Sequence, residues 1–158
     1  MAGPVSHPLL TEECIGQEEL VLVTAAAWGP LETWLSGSSE LKMLVLRTGC
    51  SYRQRLETIL AQRGIVNVRC MEFGMLDAIM GCVRAGIGIT LLPRSVVSTH
   101  RFGGSLALHK LLPAESYVET VFIRRTGAFA SVALNGFLNC LREHAARTDW
   151  RLRDTLTS

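Results

Sequence analysis

The apolar positions of this chain fall into short blocks whose spacing predicts alternating strands and helices. Apolar blocks predict buried strands at residues 19–23, 41–46 and 87–92, and a further strand is predicted at residues 66–73. Two intervening segments carry apolar residues three and four positions apart, which predicts amphipathic helices at residues 51–63 and 75–84. Gly64 and Gly86 are placed to end these helices, because glycine readily adopts the left-handed conformation that closes a helix.

From Leu41 onward the predicted order is strand, helix, strand, helix, strand, with short connections. This order predicts parallel strands joined by right-handed crossovers and covered by helices, which is an α/β fold. A short helix is expected at residues 31–35, further strands at 105–108 and 118–123, and a long helix at 128–146. One broad apolar face of that long helix is expected to carry Phe129, Val132, Phe137, Cys140, Leu141 and His144.

Composition places the chain among globular domains with a real core, since 48% of its 158 residues are hydrophobic and 19% are charged. Its apolar runs stay below the roughly 18 residues that span a bilayer, so we expect no membrane segment. The start at residues 1–4 does not read as a signal peptide, which favours the cytoplasm. A net charge of +2 with scattered basic residues gives no indication of nucleic-acid binding.

The five cysteines show no Cys-x-x-Cys spacing, and the four histidines show no metal-ligand spacing. We therefore expect neither a disulfide framework, nor a metal, nor another cofactor, and we expect mostly buried free thiols. Cys50 directly precedes a predicted helix, where a thiolate is stabilised, so a nucleophile or redox sensor is one interpretation of it. No partner stands at a predictable distance, and a small residue packed in the turn is the alternative. Cys70, Cys82 and Cys140 fall at positions suited to core packing.

A ligand site is expected where parallel strands end, beyond their carboxyl ends. Thr48, Gly49, Cys50 and Ser51 follow the strand at 41–46, and Gly74 and Met75 follow Phe73 at the end of the next strand. Both segments lead into helices whose first N–H groups have no internal partner, an arrangement that favours an anion. Phe73 and Met75 could supply an apolar wall. The alternative is structural, because glycines and hydroxyls are common at such turns and Ser51 could simply cap its helix.

Three segments resemble the effector-binding domain of LysR-type transcription regulators. They are residues 18–23 (EELVLV), residues 46–53 (LRTGCSYR) and, most specifically, residues 73–93 (FGMLDAIMGCVRAGIGITLLP). The resemblance covers about residues 3 to 145. It implies a two-lobed α/β fold similar to type 2 periplasmic binding proteins, with a parallel-sheet lobe plus a partial first lobe. It also adds Pro93, at the end of a strand, to the positions that line the cleft.

The resemblance further implies how the chain is organised. Residues 1–16 resemble a remnant of the first lobe, 17–113 the second effector-binding lobe, 114–147 the return to the first lobe with its last helix, and 148–158 a tail. The winged helix-turn-helix and the opening of the first lobe are expected to be absent. The chain would then be an isolated piece, a truncated gene product or a degenerate copy.

The function implied by the resemblance is sensing of a small anionic or aromatic-carboxylate effector, without catalysis and without direct DNA binding. A degenerate paralogue that acts only as a dimerisation module, alone or with an intact regulator, is the alternative. A solute-binding protein and an enzyme using Cys50 are weaker interpretations, because no signal peptide and no placed base accompany them.

We predict that the 158-residue chain by itself binds no DNA sequence specifically. No helix-turn-helix pattern precedes its α/β region, and its basic residues form no stripe that could follow a groove. Gel-shift titrations at physiological salt should give only weak binding that does not depend on sequence. A sequence-specific complex at sub-micromolar protein concentration would contradict this prediction.

Overall fold

The computed structural model describes residues 7–31, 40–47, 51–99, 104–129 and 131–147. Residues 145–147 are described without their side chains. The contacts divide the chain into two compact units. The first unit contains residues 1–18 and 118–158, and the second contains residues 19–117. The short helix expected at 31–35 lies, apart from Leu31, outside the described residues, and the tail at 148–158 lies entirely outside them.

The second unit holds the α/β arrangement that the sequence predicts. Strand β2 (Leu41–Leu46) pairs in parallel with β3 (Val68–Phe73) along its whole length. A parallel bridge between Met43 and Ile89 then joins β2 to the segment that leads into β4 (Thr90–Pro93). β4 and β5 (Leu106–His109) both pair antiparallel with the end of the long strand β1 (Leu10–Ala25).

Two helices connect the parallel strands and bury apolar stripes. Helix α1 (Ser51–Gln62) buries Leu56, Ile59 and Leu60, and helix α2 (Leu76–Arg84) buries Ile79, Met80 and Val83. Both end as predicted, because Gly64 and Gly86 have positive φ values of 78° and 73°. In each case the N–H of the next residue reaches back to a carbonyl of the last turn, as from Ile65 to Leu60.

The main core cluster of the second unit lies around α2. It consists of buried apolar side chains from β1, β2, α2, β4 and the short helix α3 (Arg94–Thr99), namely Val21, Val23, Leu44, Ile79, Met80, Val83, Leu92 and Val97. β2 and β4 are mostly buried and mostly apolar in sequence, as suits strands with neighbours on both faces, whereas β3 also carries the exposed Arg69 and Glu72. The positions of β2 and β4 could therefore be predicted from composition alone.

Two ion pairs fix the ends of the second unit. Arg94 makes a bidentate pair with Glu19, at 2.6 and 2.9 Å, and Arg63 makes one with Glu115, at 2.7 and 2.8 Å. Glu115 lies in the short helix α4 (Pro113–Ser116). The hydrogen bond from Arg63 holds the pKa of Glu115 below its usual value, and the bond to Glu19 raises the pKa of Arg94. Arg55 adds hydrogen bonds to the carbonyls of Glu115 and Tyr117.

The first unit contains the start of β1, most of β6 (Tyr117–Arg125) and helix α5 (Val132–Arg147). β6 pairs with β1, and the Thr126 N–H donates to the Leu9 carbonyl at 2.8 Å. Arg142 of α5 forms a bidentate pair with Glu13, whose pKa is lowered by that hydrogen bond. The sequence pattern missed the first part of β1 because residues 10–18 are largely polar, as suits a strand with one exposed face.

The long helix begins later than predicted, at Val132 instead of Ala128. Ser131 is its N-cap, since its hydroxyl accepts the Leu134 N–H at 3.2 Å and its carbonyl accepts the Asn135 N–H at 3.0 Å. The exposure of its apolar residues varies. Leu138 is buried, whereas Phe129, Val132 and Phe137 are 91%, 90% and 53% exposed.

We predict that Gly88→Ala destabilises the chain by at least about 2 kcal/mol. A Cβ at this position would lie 2.3 Å from the backbone oxygen of Lys42, so β2 and β4 would have to separate. The matched control is Gly81→Ala in the interior of α2, where a Cβ meets nothing within 4 Å. It should raise stability by about 0.5–1 kcal/mol because it lowers the entropy of the unfolded chain. Urea unfolding followed by circular dichroism measures both, and equal midpoints for the two variants would contradict the close approach.

Candidate ligand-binding site

Three chain segments meet at the carboxyl edge of the parallel strands. The Arg47 N–H, just past β2, donates to the Phe73 carbonyl at the end of β3 at 2.9 Å, so these two ends are adjacent. The parallel bridge from Met43 to Ile89 brings the end of β4, at Pro93, to the same edge. The edge where parallel strands end and helices begin is where ligands of open α/β sheets bind.

The structure locates five of the eight site residues expected from sequence, and the other three, Thr48, Gly49 and Cys50, lie outside the described residues. The five located residues belong to the edge or to the helix starts beside it. Pro93 is buried, Phe73 is half-buried, and Ser51, Gly74 and Met75 are exposed. Ser51 is the first residue of α1.

The two helix starts differ in charge, which decides between them as anion sites. The first turn of α2 contains Asp77, whose negative charge already complements the positive end of the helix. The first turn of α1 contains no acidic residue. It contains Arg53, which pairs with Glu57 and Glu72 at 3.0 and 2.9 Å. The start of α1 is therefore the better of the two for an added anion.

A concave space opens between the ends of β2 and β4, beside the start of α1. Its enclosed part has a volume of about 10 Å³, which is room for about one water-sized group, within a depression of about 240 Å³ that includes open solvent. Its lining is mostly apolar and consists of Val45, Leu46, Tyr52, Leu56, Ile79, Thr90, Leu91 and Leu92. These residues could not be selected from the sequence. A strand that borders an open space has the same composition as a strand that is paired with another strand. The one sequence signal was Thr90, a polar residue within an apolar block.

The described cysteines are free, and none of them is fully buried, which corrects the sequence prediction of mostly buried thiols. Cys14 and Cys140 are exposed, whereas Cys70 and Cys82 are half-buried. Burial raises the pKa of the Cys70 thiol, which opposes thiolate formation at that position. Within the described ranges, His, Cys, Asp and Glu form no cluster that could hold a metal ion. In the same ranges, the helices are too short or too polar to cross a bilayer.

Comparison with known proteins connects this chain to bacterial transcription regulators. A family model described as the LysR substrate binding domain matches residues 1–146. The HTH-type transcriptional regulator GltR of Bacillus subtilis is 43% identical over 144 residues, which are 91% of this chain and 48% of that protein. This chain thus spans about half the length of the curated relatives that it matches.

Solved structures of regulatory domains have the same fold. The CcmR regulatory domain of Synechocystis PCC6803, in complex with 2-PG, matches with a TM-score of 0.69 and 18% identity over 94% of this chain and 73% of that one. The sulfate-bound regulatory domain of an OxyR2 mutant of Vibrio vulnificus gives 0.70 and 13% over 92% and 69%. These likenesses confirm the predicted fold, which is that of the type 2 periplasmic binding proteins.

Proposed function

Because this chain belongs to the family of LysR substrate-binding domains, we propose that it senses a small-molecule effector for a LysR-type transcription regulator. The relatives are named HTH-type transcriptional regulators, which supports a role without catalysis. A regulator of this kind acts in the cytoplasm, which is the proposed location of this chain. We further propose that the second unit is the second effector-binding lobe and that the first unit belongs to the first lobe.

The proposed effector is a small anion or an aromatic carboxylate bound at the carboxyl edge of the second unit. It contacts residues 48–51, residues 73–75 and Pro93. The observation that carries this proposal is the parallel register that brings three strand ends together beside the α1 start, which lacks an acidic residue. Backbone N–H groups at a helix start favour a carboxylate or a sulfate. The sulfate and 2-PG named with the two similar structures are consistent with a small ligand in this fold.

We predict that Gly74→Leu abolishes effector binding and leaves the fold intact. Gly74 has no positive φ, and an added Cβ would meet nothing within 4 Å, so the fold tolerates a side chain that would fill the edge. A thermal-shift screen of small carboxylates, including succinate and benzoate, selects a ligand, and calorimetry then compares the variants. A loss of affinity of about a hundredfold or more is expected if the side chain occupies the ligand's place.

The matched control is Gly81→Leu in the interior of α2, the helix that follows Gly74. An added Cβ at Gly81 would also meet nothing within 4 Å. It should bind the selected ligand as the natural chain does. Unchanged affinity in Gly74→Leu would show that the site lies elsewhere. Failure of every carboxylate to bind the natural chain would contradict the proposed effector class.

A second candidate function is association through the exposed apolar residues at the start of α5. Phe129 and Val132 are about nine-tenths exposed, and Phe137 is more than half exposed. Exposed apolar side chains of this size favour self-association, since their contact with water costs about 25 cal/mol for each Å² left uncovered. This observation supports a homodimer, or pairing with an intact regulator.

We predict that the chain self-associates and that Phe129→Ser combined with Val132→Ser weakens this association at least about tenfold. Sedimentation velocity over a range of concentrations measures the change. Val66→Ser is the control, because Val66 is a single exposed valine of the second unit, 84% exposed. A natural chain that stays monomeric at high concentration would overturn the prediction.

A further inference from the structure

Strands β2 and β4 separate after a single bridge. The Ile89 N–H donates to the Lys42 carbonyl at 2.9 Å, and the Leu44 N–H donates to the Ile89 carbonyl at 2.8 Å. Among the described residues, the pairing of these two strands does not continue past that bridge, although β3 stays paired with β2 as far as Leu46. The space between residues 44–46 and 90–92 is called the slot below.

The alternation of a strand determines which backbone groups face the slot. Leu44 donates toward β4 and Arg47 donates toward β3, so the Leu46 N–H and the Leu44 carbonyl are turned to the β4 side. Ile89 pairs with β2, so Leu91, two residues later, also turns its N–H and carbonyl that way. The slot therefore offers both donors and acceptors. Buried backbone groups of this kind are nearly always paired with protein, water or ligand.

The buried hydroxyl of Thr90 is the second observation. Thr90 is 2% exposed and lines the slot, and the described residues give its hydroxyl no hydrogen-bond partner. Thr24 of β1 is equally buried but is satisfied, since its hydroxyl lies 2.8 Å from Nε2 of His109 and 3.2 Å from the Ala25 carbonyl. A buried hydroxyl without a hydrogen-bond partner lowers stability. A ligand group that forms a hydrogen bond with the Thr90 hydroxyl would remove this cost.

We infer that the slot is a subsite of the effector site, taking a compact end group that both donates and accepts hydrogen bonds. A hydroxyl or a carboxamide fits this description, because the slot is narrow and its other walls, including Val45, Leu56 and Ile79, are apolar. Tyr52, at the start of α1, also lines the slot, so a ligand whose carboxylate lies at that helix start can reach into it. The inference rests on the proposed function and narrows its ligand class to carboxylates that carry a second, polar end.

The ligand-free chain provides the first test. Thr90→Val keeps the shape of the side chain and removes only the unpartnered hydroxyl, so the melting temperature should hold or rise by about 2–4 °C. Thr24→Val removes a satisfied hydroxyl and should lower the melting temperature by a similar amount. Equal losses in the two variants would show that Thr90 is bound within the fold and would overturn the inference.

Binding provides the second test. Calorimetry compares the natural chain with Thr90→Val, using 4-hydroxybenzoate and 4-carbamoylbenzoate against 4-methylbenzoate, and succinamate against pentanoate. The polar-ended probes should bind the natural chain more tightly and lose about three- to tenfold of their affinity in Thr90→Val. The methyl-ended probes should not lose affinity.

The outcomes separate the inference from the proposed function. If the carboxylates bind but polar-ended and methyl-ended probes bind equally in both chains, the slot holds only water and the inference fails alone. If no carboxylate binds the natural chain, the proposed effector class fails and the subsite fails with it.

Discussion

The close approach of Gly88 to Lys42 is the constraint on which the second unit depends. The backbone of residue 88 lies so near the Lys42 carbonyl that a single added carbon would be 2.3 Å from its oxygen. This approach allows the Met43–Ile89 bridge, the one parallel connection between β2 and the β4 segment within the described ranges. β4 in turn pairs antiparallel with β1, and β1 pairs antiparallel with β5. Glycine at 88 therefore joins the parallel and antiparallel halves of the unit.

The same single bridge explains why the site lies where it does. Parallel pairing that continued past Leu44 would close the space between β2 and β4 with backbone hydrogen bonds. Because pairing stops, polar backbone groups lie beside apolar walls in the slot, which Thr90, the first residue of β4, also lines. The core cluster around α2 packs against both strands, so the separation stays local. Stability supplied by packing elsewhere thus offsets the local loss of pairing.

The sequence predicted the elements that a local pattern determines and missed the features that depend on neighbouring segments. The bounds of β2 were predicted to the residue, and Gly64 and Gly86 end their helices as expected, because periodicity and glycine conformation are local properties. The polar first part of β1 was missed, since its strand conformation comes from pairing with β6. The start of α5 was placed too early, although Ser131 was a visible capping residue.

For the candidate site, the sequence identified the edge but not its finer chemistry. Two glycine-bearing helix starts were both kept as anion sites, although the first turn of α2 carries Asp77 and the first turn of α1 carries no acidic residue, so the α1 start is the better anion site. The slot could not be predicted, because the separation of two strands is a property of their register and not of either segment. Thr90 was the one indication, since an apolar block that contains a buried hydroxyl must supply it with a partner or leave it for a ligand.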